Sequence, residues 1–147
     1  MNEGLRILVL GPGKTGSVVV EVGEERGHAV RTVDVDLNPE GAWLTPENLR
    51  DMDVVIEFTT PNVVLNHIDR CVRSGKAMVV GTTGWYAEIE RVRKLVEQAG
   101  TGFVFGPNFS YGVNLFFQIV KAAAPALAKE ELPAWLGQVG HQFSLLR

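Results

Sequence analysis

Hydrophobic positions along the chain alternate between short unbroken runs and stretches with helical spacing. Ile7-Leu8-Val9-Leu10 is a β-prone run that stops at Gly11, the pattern of a strand buried on both faces. From there to about Arg26 the spacing predicts a helix, with Val18, Val19 and Val22 on its packed side and Gly27 as its stop. Ala29 to Asp34 reads as a second strand and Asn38-Pro39-Glu40-Gly41 as loop. Thr45-Pro46-Glu47 predicts an N-cap with proline in the first helical position, opening a short helix.

The second half repeats the alternation. Val54 to Phe58 reads as a third strand, and Thr60-Pro61 as the cap of a helix carrying Val64, Ile68, Cys71 and Val72 on one stripe, ending at Gly75. Ala77 to Val80 is a fourth strand, stopped by Gly81. Ile89, Val92, Val96 and Ala99 mark another amphipathic helix, and Gly102 to Phe105 a fifth strand. A last helix starts near Val113 and should end or kink at Pro125. Five strands with intervening helices predict an α/β fold, a Rossmann-type doubly wound parallel sheet forming a single domain. Residues 1–129 form that domain, with 112–129 as a helix that would lead into a second one. Residues 130–147 have no clear period and read as an atypical tail.

Composition narrows the function classes. A net charge of −3 and no cluster of Lys and Arg argue against nucleic-acid and membrane-surface partners. The one cysteine, Cys71, cannot form an internal disulfide, which fits a reducing cytoplasm. Leu5 to Leu10 is too short to span a bilayer and lacks the flanks of a secretory signal.

The chemistry starts at Gly11-Pro12-Gly13-Lys14-Thr15-Gly16, between a predicted strand and a predicted helix. In that context the first glycine permits a tight turn and the second lets backbone approach a pyrophosphate. The third lets helix and strand pack closely. Gly13-Lys14-Thr15 also mimics the end of a nucleotide-triphosphate loop. That motif needs a glycine where Leu8 stands, so it is excluded. Asp34 follows Gly11 by 23 residues, near the usual spacing of about 20. Its carboxylate can accept from both ribose hydroxyls and would repel a 2′-phosphate, and no Arg or Lys follows in Val35-Asp36-Leu37. The expected cofactor is therefore NADH in preference to NADPH.

In open α/β sheets, ligands gather at the carboxyl ends of the strands. Phe58 and Thr59 follow the third strand, Gly81, Thr82 and Thr83 the fourth, and Gly106, Pro107, Asn108 and Phe109 the fifth. Together they would surround the nicotinamide half. These segments also carry a resemblance. The glycine loop, the acidic strand end, Glu57-Phe58-Thr59-Thr60-Pro61-Asn62, Val80-Gly81-Thr82-Thr83-Gly84 and Asn108-Phe109-Ser110-Tyr111-Gly112-Val113-Asn114 occur in that order. This arrangement resembles the 4-hydroxy-tetrahydrodipicolinate (dihydrodipicolinate) reductases over roughly residues 5–129. The resemblance implies an NAD(P)H-binding domain beside a second, substrate-holding domain, and hydride transfer in diaminopimelate and lysine biosynthesis. It implies cofactor contacts from Gly11 to Gly16, Asp34, Gly81 to Thr83, and Gly106 to Phe109.

The resemblance stops near residue 130. The family's paired histidines, its lysine and its Lys-x-Asp-Ala-Pro-Ser-Gly-Thr run do not appear, so no catalytic residue is assigned. The remaining 18 residues are too few for a second domain. The expectation is the cofactor part of a reductase, shortened by design, truncation or a changed reading frame. A small dicarboxylate substrate would need that second domain. His141 reads as a stray tail histidine, His28 as a turn residue, and His67 as a surface or supporting residue one position from the apolar stripe. No metal spacing exists among these histidines and Cys71, and Cys71 reads as core. Two other readings stay open: a non-catalytic NAD(H)-binding or redox-sensing module, and another dehydrogenase with this style of N-terminal domain, such as a semialdehyde or homoserine dehydrogenase.

Leu115, Phe116, Phe117 and Ile119 make the last helix apolar around much of its circumference, and such surface favours homo-oligomers. Sedimentation of the 147-residue chain at high concentration should show self-association through residues 113–127; a clean monomer would contradict this.

Overall fold

The structure is a computed structural model that describes residues 4–34 and 38–127. It divides into two compact units, Met1–Pro107 and Asn108–Arg147. In the first, β1 (Arg6–Leu10), β2 (Ala29–Val33), β3 (Val54–Glu57), β4 (Ala77–Val80) and β5 (Phe103–Phe105) form one sheet. All pairs are parallel and the order is β2-β1-β3-β4-β5. Helices α1 (Lys14–Glu25), α2 (Pro46–Leu49), α3 (Val64–Arg73) and α4 (Ile89–Ala99) connect the strands. This is the doubly wound α/β fold expected from the alternation. The order reverses between β1 and β3, which opens a crevice at their carboxyl ends.

Register explains the core. Leu8 pairs with Val55 and Val55 with Met78, while Leu10 pairs with Glu57 and Glu57 with Val80. These six residues share one face and are buried, under α3's Val64, Ile68, Cys71 and Val72. The second of those rows places a carboxylate among aliphatic side chains, which sets up the chemistry described below.

Several local expectations are corrected. Val18 is exposed, and the buried positions of α1 are Gly16 and Gly23. A Cβ on Gly23 would sit 2.8 Å from Val30 Cγ2, so this helix packs through its glycines and leaves a bulkier residue like Val18 outward. Helix α3 begins at Val64 without a side-chain cap, because the Thr60 carbonyl accepts from Val63 N and Val64 N in a preceding turn. Thr45 does cap α2, accepting from Asn48 N at 3.2 Å. Gly27 and Gly75 follow their helices with positive φ, as read, and Gly100 does the same after α4.

In the second unit, α5 spans Tyr111–Leu127 with Pro125 inside it. Near the helix end, proline removes one backbone hydrogen bond, which is a smaller loss than in the middle. Asn114 Nδ2 donates to the carbonyls of Asn108 and Ser110 at the helix start. Residues 130–147, including His141, lie outside the described residues.

At the opposite edge of the sheet from the crevice, Arg6 and Asp53 tie the start of β1 to the start of β3. Arg6 Nη2 donates to Asp53 Oδ1 at 2.7 Å, the Arg6 amide to Oδ2 at 2.7 Å, and the Asp53 amide to the Arg6 carbonyl at 2.8 Å. The guanidinium and the amide hold the Asp53 carboxyl down to about 2. Its folded value lies below its unfolded one, so its stabilisation is full above the unfolded value and fades as pH falls through the folded one. Both side chains are partly exposed, so the contribution is small. The difference in urea midpoint between wild type and Asp53→Asn should hold constant above about pH 5 and shrink between about pH 4 and 2. A difference independent of pH would contradict the assignment.

Candidate functional site

Gly11 has φ +78, a conformation that a Cβ strains. A Cβ there would also come within 2.5 Å of the Phe58 carbonyl oxygen. The Gly11 amide donates to the Val33 carbonyl at 3.2 Å, which brings the loop beside the end of β2 and hence beside Asp34. Gly16 is buried against the Gly11 carbonyl, so α1 starts directly on the loop. Between them Gly13 is the N-cap of α1, without a side-chain cap, and its carbonyl accepts from Ser17 N at 2.9 Å. The first amides of the helix therefore have no partner within it. A Cβ built on Gly13 meets nothing within 4 Å. Backbone donors at the positive end of a helix, facing open space, form a ready anion cradle.

The cleft beside this cradle has a volume of about 320 Å³. Gly13, Lys14 and Thr15 form one wall; Phe58, Thr59 and Pro61 and then Gly81, Thr82 and Thr83 form the rest. The last two loops interlock. The Phe58 ring occupies the space over Gly81 that a side chain would need, and Pro61 lies 3.0 Å from where a Gly84 Cβ would be. Trp85 anchors the Gly81–Gly84 turn: its indole N–H donates to the Thr82 carbonyl at 2.9 Å. Its buried ring packs edge-on against Tyr86, Phe103 and Phe105. Thr82 is buried, and its hydroxyl has no partner among the described residues.

The structure thus brings together the glycine loop, Phe58, Thr59 and Gly81 to Thr83; Asp34, exposed and next to the Val33 carbonyl that the Gly11 amide holds, does not line the cleft. Gly106 lies past β5, its amide on the Val80 carbonyl, and neither it nor Pro107 lines the cleft. Asn108 and Phe109 belong to the second unit, where Asn108 Oδ1 accepts from Ser110 N at 2.7 Å.

Two residues behind the cleft depart from the reading of the sequence. His67 is buried rather than on the surface, because α3 turns it toward the sheet with Val64 and Cys71. Glu57, which sequence reasoning did not single out as a site residue, is completely buried at the end of β3. Its Oε1 accepts from the Thr59 amide at 3.2 Å, from the Thr59 hydroxyl, and lies 3.4 Å from His67 Nδ1. A carboxylate interrupting Val54-Val55-Ile56 was the available signal. Burial, reinforced by the charge of Glu57, pushes the Cys71 thiol up to about 12, so it is no thiolate nucleophile. Among the described residues, no group of side chains could hold a metal ion, and no helix is long and apolar enough to cross a membrane.

Comparison with known proteins gives the same picture. A 4-hydroxy-tetrahydrodipicolinate reductase from Christiangramia forsetii is 30% identical over 115 residues, covering 78% of this chain and 46% of its own length. The chain thus spans about half the length of that relative. Among solved structures, an aspartate dehydrogenase from Thermotoga maritima matches with a TM-score of 0.54 at 17% identity, covering 80% of this chain and 52% of that one. An NADPH-dependent oxidoreductase from Desulfitobacterium hafniense, so described in its structure, matches at 0.50 and 18% identity, covering 72% and 35%. Those two share the fold. The family model described as dihydrodipicolinate reductase, N-terminus, matches residues 5–109, and the chain belongs to that family.

Proposed function

We propose that this chain forms the nicotinamide-dinucleotide part of an NAD(P)H-dependent reductase of the diaminopimelate and lysine route. The observation that carries the reading is the uncapped start of α1 on a glycine turn, at the crevice where the strand order reverses. The residues present fit the group. The first-turn amides of α1, with Lys14 and Thr15, would hold the pyrophosphate over the open side of Gly13. Asp34 would accept from the adenosine-ribose hydroxyls, which supports NADH over NADPH. The Thr82 hydroxyl, buried and unpartnered among the described residues, is a polar contact in reserve for the nicotinamide end. Bound there, the cofactor supplies a hydride to an acidic, unsaturated substrate.

The lining of the cleft limits what these residues do themselves. Among the described residues lining it, Lys14 is the one titratable side chain, with no histidine or carboxylate. Reducing such a substrate also needs a proton donor and a clamp for its carboxylates. In this reading those come from the substrate-holding part of the reductase. The exposed Leu115, Phe116 and Ile119 of α5 support self-association, and a biosynthetic role of this kind belongs in the cytoplasm.

Titration of the chain with NADH, followed by fluorescence, should saturate, with NADPH at least about tenfold weaker. Asp34→Ala should bring the two within about threefold of each other. No saturable binding up to millimolar NADH would overturn the reading. The chain alone should not turn over the unstable dihydropicolinate precursor, and turnover would place the proton donor within it.

A further inference from the structure

The buried carboxylate of Glu57 belongs to a chain of polar groups that runs from Thr59 at the cleft through the core to the loop 38–41. Its direction follows from donors and acceptors taken in order. The Trp43 amide donates to Asn38 Oδ1 at 2.7 Å, so the oxygen of that side chain is occupied and its nitrogen faces His67 Nε2, 3.3 Å away. An amide nitrogen only donates, so His67 Nε2 accepts. The proton of the neutral ring is then on Nδ1, which faces Glu57 Oε1. The same Oε1 accepts from the Thr59 amide and hydroxyl. Asn38, His67 and Glu57 are all at most 1% exposed. Water therefore does not compete for these groups, and each is costly to leave unpaired.

One end of the chain touches the cleft, where Thr59 lines it. At the other, Asn38 begins the loop 38–41, its carbonyl accepting from Gly41 N at 3.1 Å. That loop presses on α3: Gly41 has φ +76, and a Cβ there would stand 3.2 Å from His67 Cδ2. Stability alone would be served by an aliphatic side chain at 57, between Leu10 and Val80.

We infer that Glu57, His67 and Asn38 are positioning residues that hold Thr59 in place at the centre of the dinucleotide cleft by tying it to α3 and to the loop 38–41. The inference rests on the cofactor reading above. Displacing Thr59 then weakens the whole dinucleotide more than AMP, which lacks the nicotinamide half that Thr59 would face.

The test uses the 147-residue chain. In His67→Leu, NADH should bind about tenfold more weakly, while the mononucleotide AMP stays within about twofold of wild type. His67→Gln, which keeps one donor and one acceptor, should recover NADH affinity to within about threefold. A purely structural role would lower the melting temperature of both variants without this split. Equal losses for NADH and AMP, unchanged NADH affinity in His67→Leu, or a Gln variant as weak as the Leu variant would each overturn the inference. Should His67→Leu fail to fold, nitrogen NMR of the wild-type ring decides: Nδ1 protonated is expected, and an Nε2-protonated ring contradicts the chain. A wild type that binds no NADH removes the cofactor reading itself, whereas a binding wild type with indifferent variants removes only this one.

Discussion

Gly16 lies against the carbonyl of Gly11, closer than any side chain would permit, and that contact fixes where α1 begins. Because the helix starts on the loop itself, its unpartnered amides open at the carboxyl edge of β1 rather than into the packed interior. The Gly11 amide on the Val33 carbonyl then brings the end of β2 to the same place. The open helix start and the end of β2 that carries Asp34 are therefore set by one packing constraint. A methyl group at Gly16 would push the helix off the sheet and separate them.

The rest of the edge is built to preserve that geometry. Phe58 over Gly81 and Pro61 against Gly84 lock the two threonine-bearing loops to each other, and Trp85 pins the second of them to the aromatic cluster around β5. Glu57 then does from below what these contacts do from above, joining Thr59 to His67 and Asn38. A carboxylate in an aliphatic row is expensive to bury, and its partners are Thr59 at the cleft and His67 on α3. The placement ties core chemistry to the site.

The sequence was legible where local rules coincide. Continuous apolar runs ending in glycine marked the strands, and the spacing from Gly11 to Asp34 marked the two ends of β1 and β2 that meet. Helix α1 was misread at Val18 because a helix packed through glycines has no apolar stripe to show it. His67 looked peripheral because helical periodicity counts hydrophobic residues, while its burial depends on Glu57 and Asn38, 10 and 29 residues away. Such pairings are set by the strand order. The interlocking of Phe58 with Gly81 was likewise out of reach, since the pattern of a glycine loop suggests an approaching ligand before it suggests a neighbouring ring.

Mapping amide chemical shifts as NADH is added shows whether a dinucleotide binds across the crevice between β1 and β3. The largest changes are expected at Gly13 to Gly16, with further changes at Asp34, Thr59 and Gly81 to Thr83. Changes confined to the α4 and β5 side of the sheet, with the glycine loop unmoved, would contradict such binding.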